Sequence, residues 1–199
     1  MIEYAKTEMD YISAKDPVMK ELVAHFGHLG GGERKDVFAS LISSIVGQML
    51  SNKVADVIDG RLRQLVGDYS PELILQKSVE EIKSCGMSQR KAEYIRGLAQ
   101  DVEDGKYDFT LLVDMDDDEV VKYLMQIKGV GRWTAEMIAE FTLGRLNIFS
   151  FDDVALQNGI KKAHGYKTLS KQRFERLRKK YSPFASVASL YYYACNDEK

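Results

Sequence analysis

Apolar residues recur along this chain at three- and four-residue spacing, the period at which they line one face of an α-helix. From Asp36, the positions Val37, Leu41, Ile45, Val46 and Leu50 form such a stripe. The next spans Asn52 to Val66, with Val54, Val57, Ile58, Leu62 and Leu65 on its inner face. Pro17 sits where a helix can open, because the N–H it lacks would be unpaired there, and Asp16 is a candidate N-cap; this helix is predicted to reach Phe26. Gly30-Gly31-Gly32 breaks the chain. Pro71 opens a short helix through Leu75, Val79 to Ser84 forms another ended by Gly86, and Ser88 caps one carrying Ala92, Ile95, Leu98 and Ala99. Asp118–Met125 and Arg132–Leu143 follow as a pair, the second stopped by Gly144. Helices are then predicted from about Asp152 to His164, from Ser170 to Tyr181 and from Phe184 to Ala194. Leu146-Asn147-Ile148-Phe149 is the best strand pattern, and it reads as loop. The expected fold class is all-α.

At 199 residues the chain fits one domain, or two small lobes sharing a cleft. A hydrophobic share of 45% and a charged share of 29% are ordinary for a globular protein. The first residues lack a basic stretch followed by an apolar core, so no secretory signal is expected. Cys85 and Cys195 are too few for a disulfide framework, a structural zinc site or a four-cysteine iron–sulfur cluster, and a reducing, cytoplasmic home is the simplest reading. The formal charge of −2 argues against wholesale coating of nucleic acid. Its distribution is uneven: residues 161–180 hold nine Lys or Arg against Glu175 alone, a net +8 that leaves −10 elsewhere. That basic segment suits a solvated helix face and a phosphate-facing one equally.

The chemistry concentrates between Leu124 and Asp153. Gly129-Val130-Gly131 lies between two helical patterns, where a tight hairpin needs residues free of a Cβ. Such a hairpin aims unpaired N–H groups and the positive end of its second helix at an anion such as a DNA phosphate. The acidic pair Asp152-Asp153 lies nearby in sequence, Asp153 being 22 residues after Gly131. A phosphate clamp with a carboxylate within reach is an arrangement for DNA repair.

Five blocks resemble the helix-hairpin-helix DNA glycosylases, and within that superfamily the 3-methyladenine DNA glycosylase II family. They are Ile45–Ser51, Gly86–Ala92, Ile127–Ala135, Phe151–Asp153 and Tyr181–Ser186, in the expected order over about residues 36–194. The resemblance implies a single glycosylase domain over residues 1–199, built as two helical lobes with the hairpin at the cleft between them. One lobe would comprise residues 36–144, with the hairpin at 118–143, and the other residues 1–35 plus 145–199. Lys128 departs from the pattern, since the family usually has proline there; lysine still permits the hairpin and can reach a phosphate.

The resemblance also implies roles. Gln48 and Met49 would lie at a tip entering the helix, Met49 as the wedge that fills the gap left by an extruded nucleotide; the competing reading puts Met49 in the core. Ser51, Lys128, Gly129, Val130, Gly131 and Thr134 would contact DNA. Trp133, Met137 and Tyr193 would receive the base, whose methylated form is cationic and attracted to aromatic faces, with Val154 close by. Asp153 would be the catalytic carboxylate and Asp152 the N-cap of the following helix. Bifunctional relatives carry a lysine two residues after the second hairpin glycine; Trp133 stands there, implying a monofunctional enzyme that leaves an abasic site. Carbonyls of Met125, Ile127 and Val130 would hold a monovalent cation, with no other cofactor or metal. His25, His28 and His164 show no metal-ligand spacing and read as surface residues. The expected partner is damaged double-stranded DNA, met by a monomer, with no membrane. A non-enzymatic DNA-binding protein, or a glycosylase for another damaged base, is the alternative.

Overall fold

Short polar side chains ahead of apolar runs set most helix starts. The structure, a computed structural model, describes residues 2–31 and 36–198. Among these, all regular structure is helical: α1 (Lys6–Lys15), α2 (Pro17–Phe26), α3 (Val37–Gly47), α4 (Asn52–Val66), α5 (Pro71–Leu75), α6 (Val79–Ser84), α7 (Gln89–Glu103), α8 (Asp117–Leu124), α9 (Arg132–Met137), α10 (Val154–His164), α11 (Lys171–Tyr181) and α12 (Ala185–Asp197). Asp16, Asp36, Ser70, Ser88 and Ser170 each accept a backbone N–H at the N-terminus they precede, each such cap contributing on the order of 1 kcal/mol. Ser78 with Glu81, and Asp116 with Glu119, close full capping boxes. Gly30 and Gly31 lie in loop. Gly32, the third residue of the break, falls outside the described residues, as does the expected lobe boundary at residue 35.

Two elements escape the periodicity. α1 has a weak apolar face, burying only Ile12, and Phe109–Val113 is a short 3-10 turn. Two expectations are also corrected. Val54 and Val57 belong to the outer face of α4, which buries Ile58 and Leu62 as expected, together with Val66. The helix after the hairpin is not one α-helix to Leu143: it is α-helical to Met137, then π-helical over Ile138–Thr142. Glu140 lies in that π-turn, fully buried, and accepts a hydrogen bond from the Ser189 hydroxyl; widened turns of this kind are common where a helix must re-aim a side chain.

The chain divides into two compact units, Lys35–Ile138 and Met1–Arg34 with Ala139–Lys199. In the first, α3 packs on α4 and α7, α5 and α6 pack on α7, and α8 packs on α9. The core of the second gathers Phe149, Phe174, Tyr181, Tyr191 and Tyr192 with the apolar faces of α10 and α12. α10 and α12 approach closely at Gly159, where a Cβ would run into the carbonyl of Tyr192. Only glycine allows that approach.

Candidate functional site

In the unit Lys35–Ile138, the hairpin follows α8. Val130 N–H donates to Ile127 O at 3.0 Å, and Gly131 O accepts the Ala135 N–H at 3.0 Å to start α9. The two glycines differ. Gly129 has φ +93°, and a Cβ there would strike the Tyr94 ring, so glycine is required twice over. Gly131 has an ordinary φ of −87° and nothing within 4 Å of a built Cβ. The expectation that both glycines serve the hairpin's backbone therefore holds only for Gly129. Gly131 instead leaves open space in front of the N-terminus of α9.

A second loop projects from the end of α3. Gln48 closes the helix by donating its N–H to Ser44 O, Met49 takes φ +59°, and Leu50 N–H returns to Gly47 O at 3.1 Å. Met49 is 100% exposed, which excludes the core reading. A left-handed methionine is uncommon and needs support from its surroundings. Two braces supply it: Gln48 Nε2 donates to Gly129 O at 2.8 Å, joining tip to hairpin, and Lys91 Nζ donates to both Val46 O and Gln48 O at 2.7 Å. Burial lowers the Lys91 pKa from its ordinary value, yet its charge faces carbonyls at a helix C-terminus, where a cation is favoured.

Beside the tip lies a pocket of about 300 Å³ lined by Ser44, Gln48, Met49, Asn52, Trp133 and Met137. It brings together two of the expected base-contacting residues, Trp133 and Met137, with the expected wedge. Trp133 is 44% exposed. Thr134 also lines this pocket but is only 5% exposed, so its outward-facing contribution falls to the backbone. A second hollow of about 450 Å³ shares Gln48, Met49 and Leu50 and is lined further by Met87, Arg90 and Tyr94. Lys128 is exposed, with Nζ 5.7 Å from the centre of the Tyr94 ring. Ser51 is the exposed N-cap residue of α4.

In the unit Met1–Arg34 with Ala139–Lys199, the N-cap of α10 is Asp153, correcting the expectation for Asp152. Its Oδ1 accepts the Leu156 N–H at 2.8 Å, and the residue is 6% exposed. Asp152 is exposed. The reason is one of register: Val154, not Asp153, is the first residue with helical backbone, and it is itself largely exposed. The approach to Asp153 is fixed by Gln157 Nε2 donating to Phe151 O at 2.6 Å. Further back, the Ser186 hydroxyl accepts from Ile148 N–H and donates to Arg145 O at 2.7 Å, pinning the loop that leads there. Tyr191 and Tyr192 are core residues, whereas Tyr193 is half-buried with its ring 5.9 Å from Phe141. His164 is also half-buried, contrary to the surface reading, because its Nε2 meets Tyr192 Oη at 2.8 Å.

A family model described as "HhH-GPD superfamily base excision DNA repair protein" matches residues 42–183, which include the tip, the hairpin and Asp153. The chain belongs to this superfamily. It is 30% identical to DNA-3-methyladenine glycosylase 1 of Schizosaccharomyces pombe over 77% of this chain and 71% of that protein. A putative DNA-3-methyladenine glycosylase of Bacillus subtilis is 29% identical over 78% of this chain, which spans 57% of that longer protein. Among solved structures, a DNA-3-methyladenine glycosidase from Bacillus halodurans superposes with a TM-score of 0.85 at 38% identity, covering 96% of this chain and 89% of that one. A Schizosaccharomyces pombe 3-methyladenine DNA glycosylase solved in complex with abasic DNA superposes with a TM-score of 0.84 at 27% identity, covering 94% and 95%.

For this HhH-GPD protein, sequence reasoning passed over Lys91 and Tyr94. Both lie in the block Gly86–Ala92 and its continuation, which had no role assigned. The available signal was a lysine in the first turn of α7 beside alanine, which says nothing about the carbonyls it meets 43 and 45 residues away. Ser186 likewise lies in a block, Tyr181–Ser186, to which the sequence assigns no contact.

Proposed function

We propose that this protein is a monofunctional DNA glycosylase of the 3-methyladenine DNA glycosylase II kind, which hydrolyses the N-glycosidic bond of alkylated purines in double-stranded DNA and leaves an abasic site. The observation that carries the reading is the Met49 tip: a fully exposed apolar side chain on a left-handed residue, braced to the hairpin and flanked by an aromatic-lined pocket. A base within a duplex can be reached only by extruding its nucleotide, and the gap must be filled. Methionine is apolar, unbranched and suited to that filling. Trp133 and Met137 receive the base, and the resemblance gives Tyr193 a base-contacting role as well; an N-methylated purine is cationic, so aromatic faces attract it by charge as well as by stacking. The names of the relatives support this substrate class for the present chain.

Asp153 supplies the carboxylate that stabilises positive charge developing at C1′ and orients water. A cationic base leaves neutral and needs no proton from the enzyme. The N–H groups of Gly131 and Thr134 take a phosphate, which the missing side chain of Gly131 lets approach, with Val130 beside them, and Ser51 and Lys128 extend the binding surface. Carbonyls of Met125, Ile127 and Val130 are neutral oxygen donors between the end of α8 and the hairpin, the donor chemistry that suits a weakly held monovalent cation, which would add positive charge beside the phosphate. The protein acts as a monomer.

Incubation with methylated duplex DNA, followed by chromatography of the released bases, tests the reading. Free 3-methyladenine is the expected product. Tight binding of undamaged duplex without any base release would favour a non-enzymatic DNA-binding protein.

A further inference from the structure

The structure assigns a second DNA-binding surface to this protein: the outer face of α11, which we infer binds the phosphates of the duplex flanking the lesion. The inference rests on the proposed role of Asp153 in its starting point alone.

α11 is two-faced. Phe174, Leu177 and Tyr181 are buried on one side, while Gln172, Arg176 and Lys179 recur on the other at the spacing of a single helical face and are exposed. The cations of this segment are not equally available. Lys180 is held by Asp16 at 2.7 Å, Arg178 by Glu175 at 2.8 Å, and Arg173 stacks 4.3 Å from the Tyr166 ring. Glu175, the one acid of the segment, is thus neutralised by Arg178. Arg176 and Lys179 reach solvent without a protein partner among the described residues, and Lys171 meets only a ring.

Position then decides the occupant. Lys171 lies with its Nζ 5.8 Å from the centre of the Phe151 ring, and that ring packs 5.1 Å from Phe174. Phe151 is two residues before Asp153. The basic surface therefore starts with Lys171, on the flank of that outer face and beside the segment that presents the carboxylate, and runs away along α11 through Arg176 and Lys179. From Lys171 to Lys179 the helix rises about 12 Å, a length over which duplex DNA presents about seven phosphate charges. Lys171, Arg176 and Lys179, exposed within a segment of net +8 in a chain of net −2, are complementary to that polyanion and to little else in the reaction.

The test is the combined variant Lys171→Gln, Arg176→Gln, Lys179→Gln, whose three side chains lie on the surface, with its melting temperature as the check on folding. Its affinity for a duplex carrying a stable abasic-site analogue is measured over a salt series. The slope of log affinity against log salt should shrink by about 0.9 for each phosphate that is no longer neutralised, with affinity down about tenfold or more. Shortening the duplex on one side of the analogue should abolish the difference from wild type; shortening the other side should preserve it. An unchanged slope, or a weakening independent of flank length, would overturn the inference and return the face to solvent. Wild type provides the separating control: if it does not prefer abasic over intact duplex, the glycosylase reading itself fails.

Discussion

The proposed function gives Asp153 two duties on one carboxylate. Oδ1 caps α10, and the proposed chemistry needs the negative charge. Asparagine caps helices about as well as aspartate, so Asp153→Asn separates the duties. Base release should fall by on the order of 10²–10³ or more, the usual effect of removing a preorganised electrostatic group, while DNA affinity stays within a few-fold, because the charge acts in the transition state. Single-turnover release and a binding titration check this; unchanged release would remove Asp153 from the chemistry. Met49 has no packing duty, being fully exposed. Met49→Ala should therefore leave the melting temperature unchanged and weaken binding to an abasic-analogue duplex about tenfold, the scale of burying one such side chain, with less effect on intact duplex. Equal weakening on the two DNAs would show that Met49 does not enter a gap.

At the scale of elements, the fold fixes its functional loops from behind. Lys91 on α7 holds the end of α3, Gln48 ties that end to the hairpin, and Ser186 on α12 holds the loop leading to Asp153. α10, which Asp153 caps, is anchored at its other end through His164. His164 Nε2 meets Tyr192 Oη, which meets Tyr181 Oη at 2.7 Å, and Tyr181 donates to Asp16. Burial lowers the His164 pKa; Asp16 opposes that effect and Lys180 and Arg173 add to it. The folded protein thus favours neutral His164, whereas the unfolded chain takes up a proton near pH 6.5. The contribution is fully present above that pH and is lost as pH falls through the depressed folded value. Melting temperature should drop from pH 7 to pH 5 in the wild type, and His164→Gln should flatten that drop. An equally steep drop in the variant would place the pH response elsewhere.

For the whole molecule the question is what product it leaves. By the resemblance, Trp133 stands where bifunctional relatives carry the amine that attacks C1′, and Arg132 beside it stays protonated. Lys91 has its ammonium engaged by Val46 O and Gln48 O. Reaction with damaged duplex in the presence of borohydride should trap no covalent adduct, and strands should break only after added alkali. An adduct at neutral pH would show that a lysine of this chain reaches the sugar, and the enzyme would then be bifunctional.

The sequence by itself determined the all-α class, most helix spans, the hairpin and the membership of the superfamily. These rest on local physics: periodicity, caps, and glycine where φ is positive or a ring lies too close, as at Gly129. Trp133, Met137 and Met49, to which the resemblance gives roles, line one pocket beside the tip. What the sequence left undecided was long-range. Whether Asp152 or Asp153 caps α10 depends on a one-residue register set by packing, and two adjacent aspartates look alike in a pattern. Val54 and Val57 fit the helical stripe of α4 yet face outward, because the residues that α4 meets decide which flank of the stripe is buried. Lys91, His164 and Ser186 acquire their partners 28–45 residues away in sequence. No local spacing encodes such pairings; only the folded chain brings donor and acceptor within hydrogen-bonding distance.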